Sequence, residues 1–444
     1  MKIAIIGFAR EGKSVLKFLK ASPEFLGAKI EILDKKSGRN YLKNLECFDT
    51  VFRSPGIPYN LPELKKARHD GVGLSSATKL FFDNCPTKNL IGITGTKGKG
   101  TTATLLYKIM KTAGVPVFLA GNIGKPALDT LPKLKKNSWV ILELSSFQLQ
   151  DLKTSPRVAV VLDIFPDHQD KHLSLAEYYA SKANIAKHQK RGDKIFFFSD
   201  NKLSSWVARQ SGAKRISVNE NNFGLFRPED LKIIGNHNFK NAVMAATVAL
   251  KLGIHAKTIV KTVKSFRGLP HRLQLVHTTT TKTPKVYSHI LKNMRIDFYN
   301  DSAAVNPGAT VAALKTFSGK NLILIAGGLE RGLDYSDLAR AVKKYAKAVI
   351  LFGENKKAIA RAVRHQTLDI RHQNKPRVIF TKTLKDATSK AYRYASTLIT
   401  NNSLLVTVLF SPASASFDMF KNYEERGEEF IKIVRKIKNW RQNG

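Results

Sequence analysis

Short apolar runs alternate along this chain with longer segments whose apolar residues recur at helical spacing. Lys2–Ile6 reads as a strand, followed by a glycine turn and a helix over Ser14 to Leu19. Lys29–Leu33 is a second strand and ends at Asp34, and Phe48–Phe52 is a short strand running into the turn Ser54-Pro55-Gly56. This is an α/β unit of the Rossmann type. Asn84-Cys85-Pro86-Thr87 breaks the pattern, so the first domain is expected over 1–86. A second α/β block carries strands at Trp139–Leu142, Val158–Leu162 and Lys194–Phe198, with helices from Leu175 to about Lys187 and from Asn238 to Leu252. The polar, proline-containing stretch Phe266–Arg272 sets the next boundary, giving domains over 87–268 and 269–444. The third block has strands at Ile296–Tyr299, Leu322–Ala326, Ala348–Phe352 and Leu404–Val408, and a basic helix near the end. Thr278–Lys285 is low in complexity and reads as a loop or hairpin tip.

The densest chemical signal is Gly92–Ile109. A strand over Asn89–Ile93 runs into a glycine-rich turn and then a helix carrying Leu105, Leu106, Ile109 and Met110. Such a turn aims backbone N–H groups and the positive end of a helix dipole at one point, and Lys99 adds a full charge. This predicts a nucleoside triphosphate site. A phosphate loop ordinarily has Ser or Thr directly after its lysine, where the hydroxyl meets Mg²⁺. Here that place holds Gly100, so Thr101 takes the contact, or a water does, or the site is weakened.

The composition narrows the classes. At 444 residues and 43% hydrophobic, the chain is long enough for two to four domains at roughly 150 residues each. No apolar run approaches the ~20 residues that span a bilayer. The apolar stretch at the start is too short for a signal peptide. Cys47 and Cys85 are far apart and lack metal-ligand spacing, which points to a reduced, cytoplasmic compartment. The net charge is +40, but Lys and Arg recur in every segment without a basic arm or nucleic-acid motif. The expectation is therefore no specific nucleic acid, and a field that attracts polyanionic small molecules.

Two further sites stand out. Gly7-Phe-Ala-Arg-Glu-Gly-Lys-Ser14 fits both a Walker A loop and a dinucleotide-type turn. Asp34 at the end of the following strand favours the second reading, with ATP placed at Lys99 instead. Glu143 and His168 stand at the ends of candidate strands, where open α/β sheets bind ligands. A carboxylate and an imidazole beside a triphosphate suit Mg²⁺ held partly by phosphate oxygens.

With these motifs in order, the chain resembles the Mur ligases of peptidoglycan synthesis over nearly its whole length. Gly95-Thr-Lys-Gly-Lys99 resembles the family ATP loop. Gly121-Asn-Ile-Gly124, and His237-Asn238 with Asn241, resemble further family motifs. Four segments resemble the branch that adds D-glutamate: Glu143–Leu149, Gly268–Arg272, Ser411–Asp418 and Lys421–Gly427. The implied fold is three α/β domains: a Rossmann-like N-terminal domain, a central P-loop ATPase-like domain with a parallel sheet, and a Rossmann-like C-terminal domain.

The implied activity is ATP-dependent, ADP-forming ligation of D-glutamate to a UDP-linked muramoyl-L-alanine. The resemblance assigns the UDP moiety to Gly7, Gly12, Asp34, Ser54, Pro55 and Gly56, with Asn122 on the muramoyl part. ATP falls to Gly95, Thr96, Lys97, Gly98, Lys99, Gly100 and Thr101, with Asn238 and Asn241 near the adenine and Arg272 and Asp301 near phosphate and ribose. Mg²⁺, as two ions in the family, falls to Thr101, Glu143, His168 and a carbamylated Lys182. D-Glutamate falls to Arg331, Ser416, Phe417 and Tyr423. The implied catalytic set is Lys99, Glu143, His168, Lys182 and Arg272, in a monomer whose partners are small molecules. The chain departs from the family at Gly100, at Ala303 where Lys is frequent, at Val305 where Thr is frequent, and at Arg331 where Lys is common. A folate-type glutamate ligase would lack the UDP-type first domain. A non-catalytic nucleic-acid binder would show salt-sensitive DNA binding without ADP release.

Overall fold

The computed structural model describes the chain except residues 39, 168–170, 282–293, 318–320, 366–375, 401–404 and 438–444. The first sheet is built from β1 (Lys2–Ile6), α1 (Arg10–Ala21), β2 (Lys29–Leu33), β3 (Thr50–Arg53), α2 (Pro62–His69), β4 (Gly73–Ser75) and α3 (Ala77–Asn84). Its strands are all parallel, in the order β2-β1-β3-β4. Ile3, Ala4, Ile5 and Ile6 are all fully buried, which only a sheet covered on both faces can achieve. Chain order reverses at β1, between β2 and β3, so the Gly7 turn and the Ser54 turn emerge side by side.

The second sheet uses β5 (Leu90–Thr94), α4 (Lys99–Thr112), β6 (Val117–Gly121), β7 (Trp139–Glu143), α5 (Ser146–Leu149) and β8 (Val158–Val161). It continues through α6 (Leu175–Lys187), β9 (Lys194–Phe198), α7 (Lys202–Arg209), β10 (Lys214–Val218), α8 (Asn236–Lys251) and α9 (Ala256–Ser265). The order is β10-β9-β8-β5-β7-β6, again all parallel. The switch point is β5, and the ends of β5, β7 and β8 share one edge.

The third sheet uses β11 (Gln274–Thr281), β12 (Met294–Asn300), α10 (Pro307–Thr316), β13 (Asn321–Gly327), α11 (Ser336–Tyr345) and β14 (Ala348–Phe352). It closes with α12 (Lys356–His365), β15 (Arg377–Phe380), α13 (Leu384–Thr400), β16 (Leu405–Phe410) and α14 (Tyr423–Arg435). Its order is β11-β12-β16-β13-β14-β15, parallel except for β11 against β12. By contacts the chain forms two compact units, 1–231 with 236–266 and 232–235 with 267–444.

Within the first unit, the first two sheets share one hydrophobic core. Val15, Leu19 and Phe81 pack into the same cluster as Leu90, Leu128, Val140 and Leu142. Polar groups cross the same seam. Buried Arg53 donates to the carbonyls of Ile57 and Phe147 at 2.8 Å each and lies 3.6 Å from the Asp151 carboxylate. Burial pulls the Arg53 pKa down and pushes that of Asp151 up, while each opposes the other's shift. Removing one partner alone would strand the other charge, which makes this pair sensitive to single substitutions.

The structure corrects the reading of Thr278–Lys285: Thr278–Thr281 belong to β11 and pair with β12, and 282–285 lie outside the described residues. A run of threonines suits an edge strand as well as a loop, because β-branched side chains fit the pleat. The pattern also misses β4, β6, β10 and β15. β10 is an edge strand with mostly exposed residues, and β4 has only three, so neither carries a buried apolar run.

Two motif segments pack together in the second unit. His271 sits at φ 59° with its ring buried, and its Nδ1 accepts from Asn300 Nδ2 at 3.0 Å. Asn300 Nδ2 also donates to the Gly427 carbonyl at 3.1 Å. A Cβ on Gly427 would stand 2.2 Å from His271 Nδ1. Gly→Ala inside a helix ordinarily stabilises by about 1 kcal/mol. For Gly427→Ala we predict the opposite sign, a loss of about 1–3 kcal/mol from overpacking, read as a lowered Tm. A raised Tm would show that the His271 ring moves aside without cost.

Candidate active site

The loop after β5 is held by its own backbone. Gly95 lies at φ 151°, and a Cβ there would come within 2.7 Å of Leu162. Gly98, at φ 86°, leaves room for the Asn241 amide, whose Oδ1 would be 2.2 Å from an added Cβ. Thr96 is fixed three ways: its N–H donates to the Asp163 carbonyl at 2.8 Å, its hydroxyl lies 2.9 Å from Tyr178 OH, and it takes the Phe165 N–H at 2.9 Å. Lys99 Nζ donates to the carbonyls of Gly95 at 2.9 Å and Thr96 at 3.1 Å. Lys182 Nζ donates to the same Gly95 carbonyl at 2.9 Å. Burial, reinforced by the Lys99 charge, drives the Lys182 pKa well below the ordinary lysine value. Thr101 is half-buried, whereas Thr102 is buried with a hydroxyl that has no hydrogen-bond partner.

Glu143 ends β7 beside this loop and is buried. Asn122 binds it twice: its N–H donates to the Glu143 carbonyl and its Nδ2 to Oε1, both at 3.0 Å. Gly121, at φ 99°, permits this approach, since a Cβ would lie 2.5 Å from that carbonyl. His168 lies outside the described residues. On α8, Asn241 packs on the loop. Lys240 joins Asp200 at 2.8 Å, Asp163 at 3.2 Å and Glu220 at 3.9 Å, which ties α8 to the ends of β8 and β9. Asn238 lies on the same helix, near its N-terminus. The His237 pKa is lowered by burial and then by Lys97.

At the first sheet the structure brings Gly7, Gly12, Asp34 and Ser54 together. Ser54 Oγ donates to the Gly7 carbonyl at 2.6 Å, and Asp34 Oδ2 accepts the Phe8 N–H at 2.8 Å. The N–H bonds from Phe8 and Lys36 hold the Asp34 carboxyl below its usual range. Gly12 is required by packing, because a Cβ would lie 2.2 Å from the Gly7 carbonyl. Pro55 and Gly56 complete the adjacent turn, closed by Ile57 N–H on the Ser54 carbonyl at 3.0 Å. The surroundings of Ser14 and Lys13 bear on the two readings of this loop. Ser14 Oγ, the metal hydroxyl of a Walker A loop, donates to Asp129 at 2.7 Å, and Lys13 is exposed.

In the second unit Asp301 follows β12 and is buried. It accepts from Ser411 Oγ at 2.7 Å and from Leu273 N–H at 3.2 Å. Burial outweighs both bonds and the Arg272 charge, and its pKa is pushed up to about 7. Arg272 is exposed. The loops after β13 and β16 meet through Gly327 N–H on the Pro412 carbonyl at 2.9 Å and Leu329 N–H on the Ala415 carbonyl at 3.0 Å. Ser416 is buried at this junction, Tyr423 is half-buried, and Arg331 and Phe417 are exposed. Beneath them lies Arg426, which sequence reasoning quoted within a motif but gave no role. Its guanidinium donates to Ser302 Oγ at 3.1 Å, to the Ser302 carbonyl at 2.9 Å and to the Ser414 carbonyl at 3.0 Å. Burial lowers its pKa to about 10, with Asp418 opposing, so it stays cationic at neutral pH. Ser411 was likewise quoted within a motif without a role, and Tyr178 and Asp163 were missed, because single polar residues outside the motifs carry no periodic signal.

Among the described residues no three His, Cys, Asp or Glu side chains gather into a metal cage. The donors beside the loop are oxygens, Glu143 and the loop threonines. That set fits Mg²⁺, which is commonly held by one or two carboxylates together with substrate phosphates. No helix among the described residues is long and apolar enough to cross a membrane.

Two family descriptions match the chain: the Mur ligase middle domain over residues 93–249 and the Mur ligase glutamate ligase domain over residues 288–407. A UDP-N-acetylmuramoylalanine–D-glutamate ligase from Acetivibrio thermocellus is 32% identical, covering 98% of this chain and 96% of that protein. A protein of the same name from Ruminiclostridium cellulolyticum is 35% identical, covering 90% and 86%. Among solved structures, the UDP-N-acetylmuramate–alanine ligase of Thermotoga maritima has the same fold, with a TM-score of 0.56 at 16% identity over 98% of this chain and all of that one.

The Asp301 shift generates a pH test. An acid whose folded pKa is raised stabilises the fold fully below its unfolded value near 3.8, and loses that contribution as pH rises toward about 7. Asp301→Asn keeps an acceptor for Leu273 and a donor for Ser411 without the charge. We predict that it raises stability relative to the parent at pH 8 by at most about 4 kcal/mol, read as a higher Tm, and that the gain vanishes near pH 4. A pH-independent difference between the two proteins would contradict a buried charge at this position.

Proposed function

Because the chain belongs to the Mur ligase family, we infer that it joins D-glutamate to UDP-N-acetylmuramoyl-L-alanine, with ATP converted to ADP and phosphate. The family makes it an ATP-dependent, ADP-forming ligase. The choice of amino acid rests on relatives of that name that match nearly end to end. The observation that carries the site is the convergence of Lys99 and Lys182 on the Gly95 carbonyl, beside Glu143 at the sheet edge.

A carboxylate does not condense with an amine in water, since its leaving group would be oxide. In the first step a carboxylate oxygen of the muramoyl-alanine forms a bond to the γ-phosphorus as the bond to the ADP oxygen breaks. In the second, the neutral amine of D-glutamate attacks the acyl carbon. The C–N bond forms, phosphate departs, and the amine's proton leaves to a base or solvent. The loop N–H groups and Lys99 hold the phosphates, and Arg272 is the further cation assigned to balance their charge. Glu143, Thr101, His168 and carbamylated Lys182 are the proposed holders of Mg²⁺, which when bound neutralises phosphate charge. Asn122 fixes the Glu143 carboxylate, leaving it oriented toward that task. Gly7, Gly12, Asp34 and the Ser54 turn take the UDP group. Arg331 and Ser416, with Phe417 and Tyr423, take the two carboxylates and the stem of D-glutamate. Arg forks onto a carboxylate where the family's Lys would make a point contact. We place the functional domain limits at 86/87 and 268/269, and read the enzyme as a cytoplasmic monomer.

Three assays test this. ADP release with D-Glu, L-Glu, L-Lys and meso-diaminopimelate is expected to favour D-Glu; preference for another amino acid would overturn the specificity. Lys99→Ala is expected to abolish ADP formation, while Lys13→Ala leaves ATP binding nearly intact. The lowered Lys182 pKa favours the neutral amine, the form that adds CO₂. Lys182→Ala should lose most activity and regain part of it in acetate; full activity without acetate would remove the carbamate from the mechanism.

A further inference from the structure

His172 is a buried imidazole that the reaction above does not use. Its Nε2 lies 3.0 Å from Ser146 Oγ, on the first turn of α5. Its ring stacks on Phe147 at 4.8 Å and 13°, and meets the Tyr178 ring edge-on at 5.3 Å and 65°. Its Nδ1 lies 3.6 Å from Glu177 Oε1.

Each neighbour leads to a different ligand. On one side, Tyr178 OH is bonded to Thr96 of the triphosphate loop at 2.9 Å, and its ring lies 4.8 Å from Lys182 Nζ. On the other, α5 grips the lobe of the first sheet. The Phe147 carbonyl takes Arg53 at 2.8 Å, and Gln148 Nε2 donates to Glu11, in the Gly7–Gly12 turn, at 2.6 Å. Glu177 Oε1 takes Asn60 Nδ2, from the same lobe, at 2.7 Å. His172 therefore stands where the hold on the first lobe and the hold on the triphosphate loop meet.

We propose that His172 is a positioning residue that sets α5 and Tyr178 in one register, so that the nucleotide-sugar turn and the triphosphate loop are ordered together. It touches no reacting atom. The Ser146 hydrogen bond fixes the rotation of the ring, and the rotated ring fixes the faces that Phe147 and Tyr178 rest on. The inference rests on the ligase reading above for the identity of the two ligands.

His172→Phe keeps the ring between Phe147 and Tyr178 and removes the nitrogen that meets Ser146. We expect the KM values for ATP and for UDP-N-acetylmuramoyl-L-alanine to rise together, each by about tenfold, with kcat changed far less. Ser146→Ala removes the same link without touching the ring, so it should produce the same pair of shifts. The double variant should be no worse than either single. His172→Gln, which offers an amide to Ser146, should recover most of both KM values. Calorimetric binding of a non-hydrolysable ATP analogue reads the first defect without turnover. Unchanged KM values in both single variants, a lowered Tm alone, or additive effects in the double variant would overturn the proposal. A wild-type protein that releases no ADP with D-glutamate, yet loses analogue affinity on His172→Phe, would overturn the ligase reading and leave this one standing.

Discussion

One backbone oxygen, the carbonyl of Gly95, receives two lysine side chains. Lys99 arrives from the first turn of α4 and Lys182 from α6, each at 2.9 Å. Two cations sharing one acceptor in a poorly hydrated place repel strongly, and the opposing influence of Asp167 is the smallest of the three on Lys182. The conflict is relieved in two ways: one amine gives up its proton, or an anion arrives. The buried position of Lys182 favours the first in the free protein. A triphosphate over the loop supplies the second. Two lysines converging on a glycine-rich loop at a helix N-terminus suit a highly charged anionic ligand.

That constraint propagates through α6. Tyr178 and Lys182 are four residues apart and so share a helix face. Tyr178 braces Thr96 from the same side on which Lys182 reaches Gly95, and burial raises its hydroxyl pKa to about 12, which keeps it neutral beside the loop. Glu177, one residue earlier, turns toward the first lobe through Asn60. A single helix therefore presents one face to the loop after β5 and an adjacent one to the first lobe. Any displacement of α6 is felt at both.

The fold and the first layer of the site were legible because each has a local signature. Strands such as Lys194–Phe198 and Ala348–Phe352 are buried apolar runs, and their limits match the structure. The helix over Leu175–Lys187 also matches, helped by the Ser174 cap on the Glu177 N–H. Gly7, Gly98 and Gly121 mark turns whose positive φ and close contacts only glycine tolerates. The supporting layer was not legible. His172, Tyr178, Asp163 and Arg426 act through partners distant in the sequence, and nothing local distinguishes a buried Tyr or Arg from an exposed one. The Ser14–Asp129 contact beside the Gly7–Ser14 loop was hidden for the same reason, since Asp129 lies far along the chain.

The net charge of +40 shows which forces decide the chemistry. A positive field on its own lowers every carboxyl pKa. Yet Asp301 is pushed up to about 7, and Glu11, Asp151, Asp163 and Asp418 are also raised, each with burial as the leading cause. Desolvation acts at contact range, whereas the field of scattered surface lysines is screened over roughly 8–10 Å of saline. The surplus cations therefore bear on encounter, drawing in ATP and a UDP-linked substrate that are both anionic. The protonation states at the site are set by what each group is buried against, so changing the surface charge should alter capture of substrates far more than the bond-making steps.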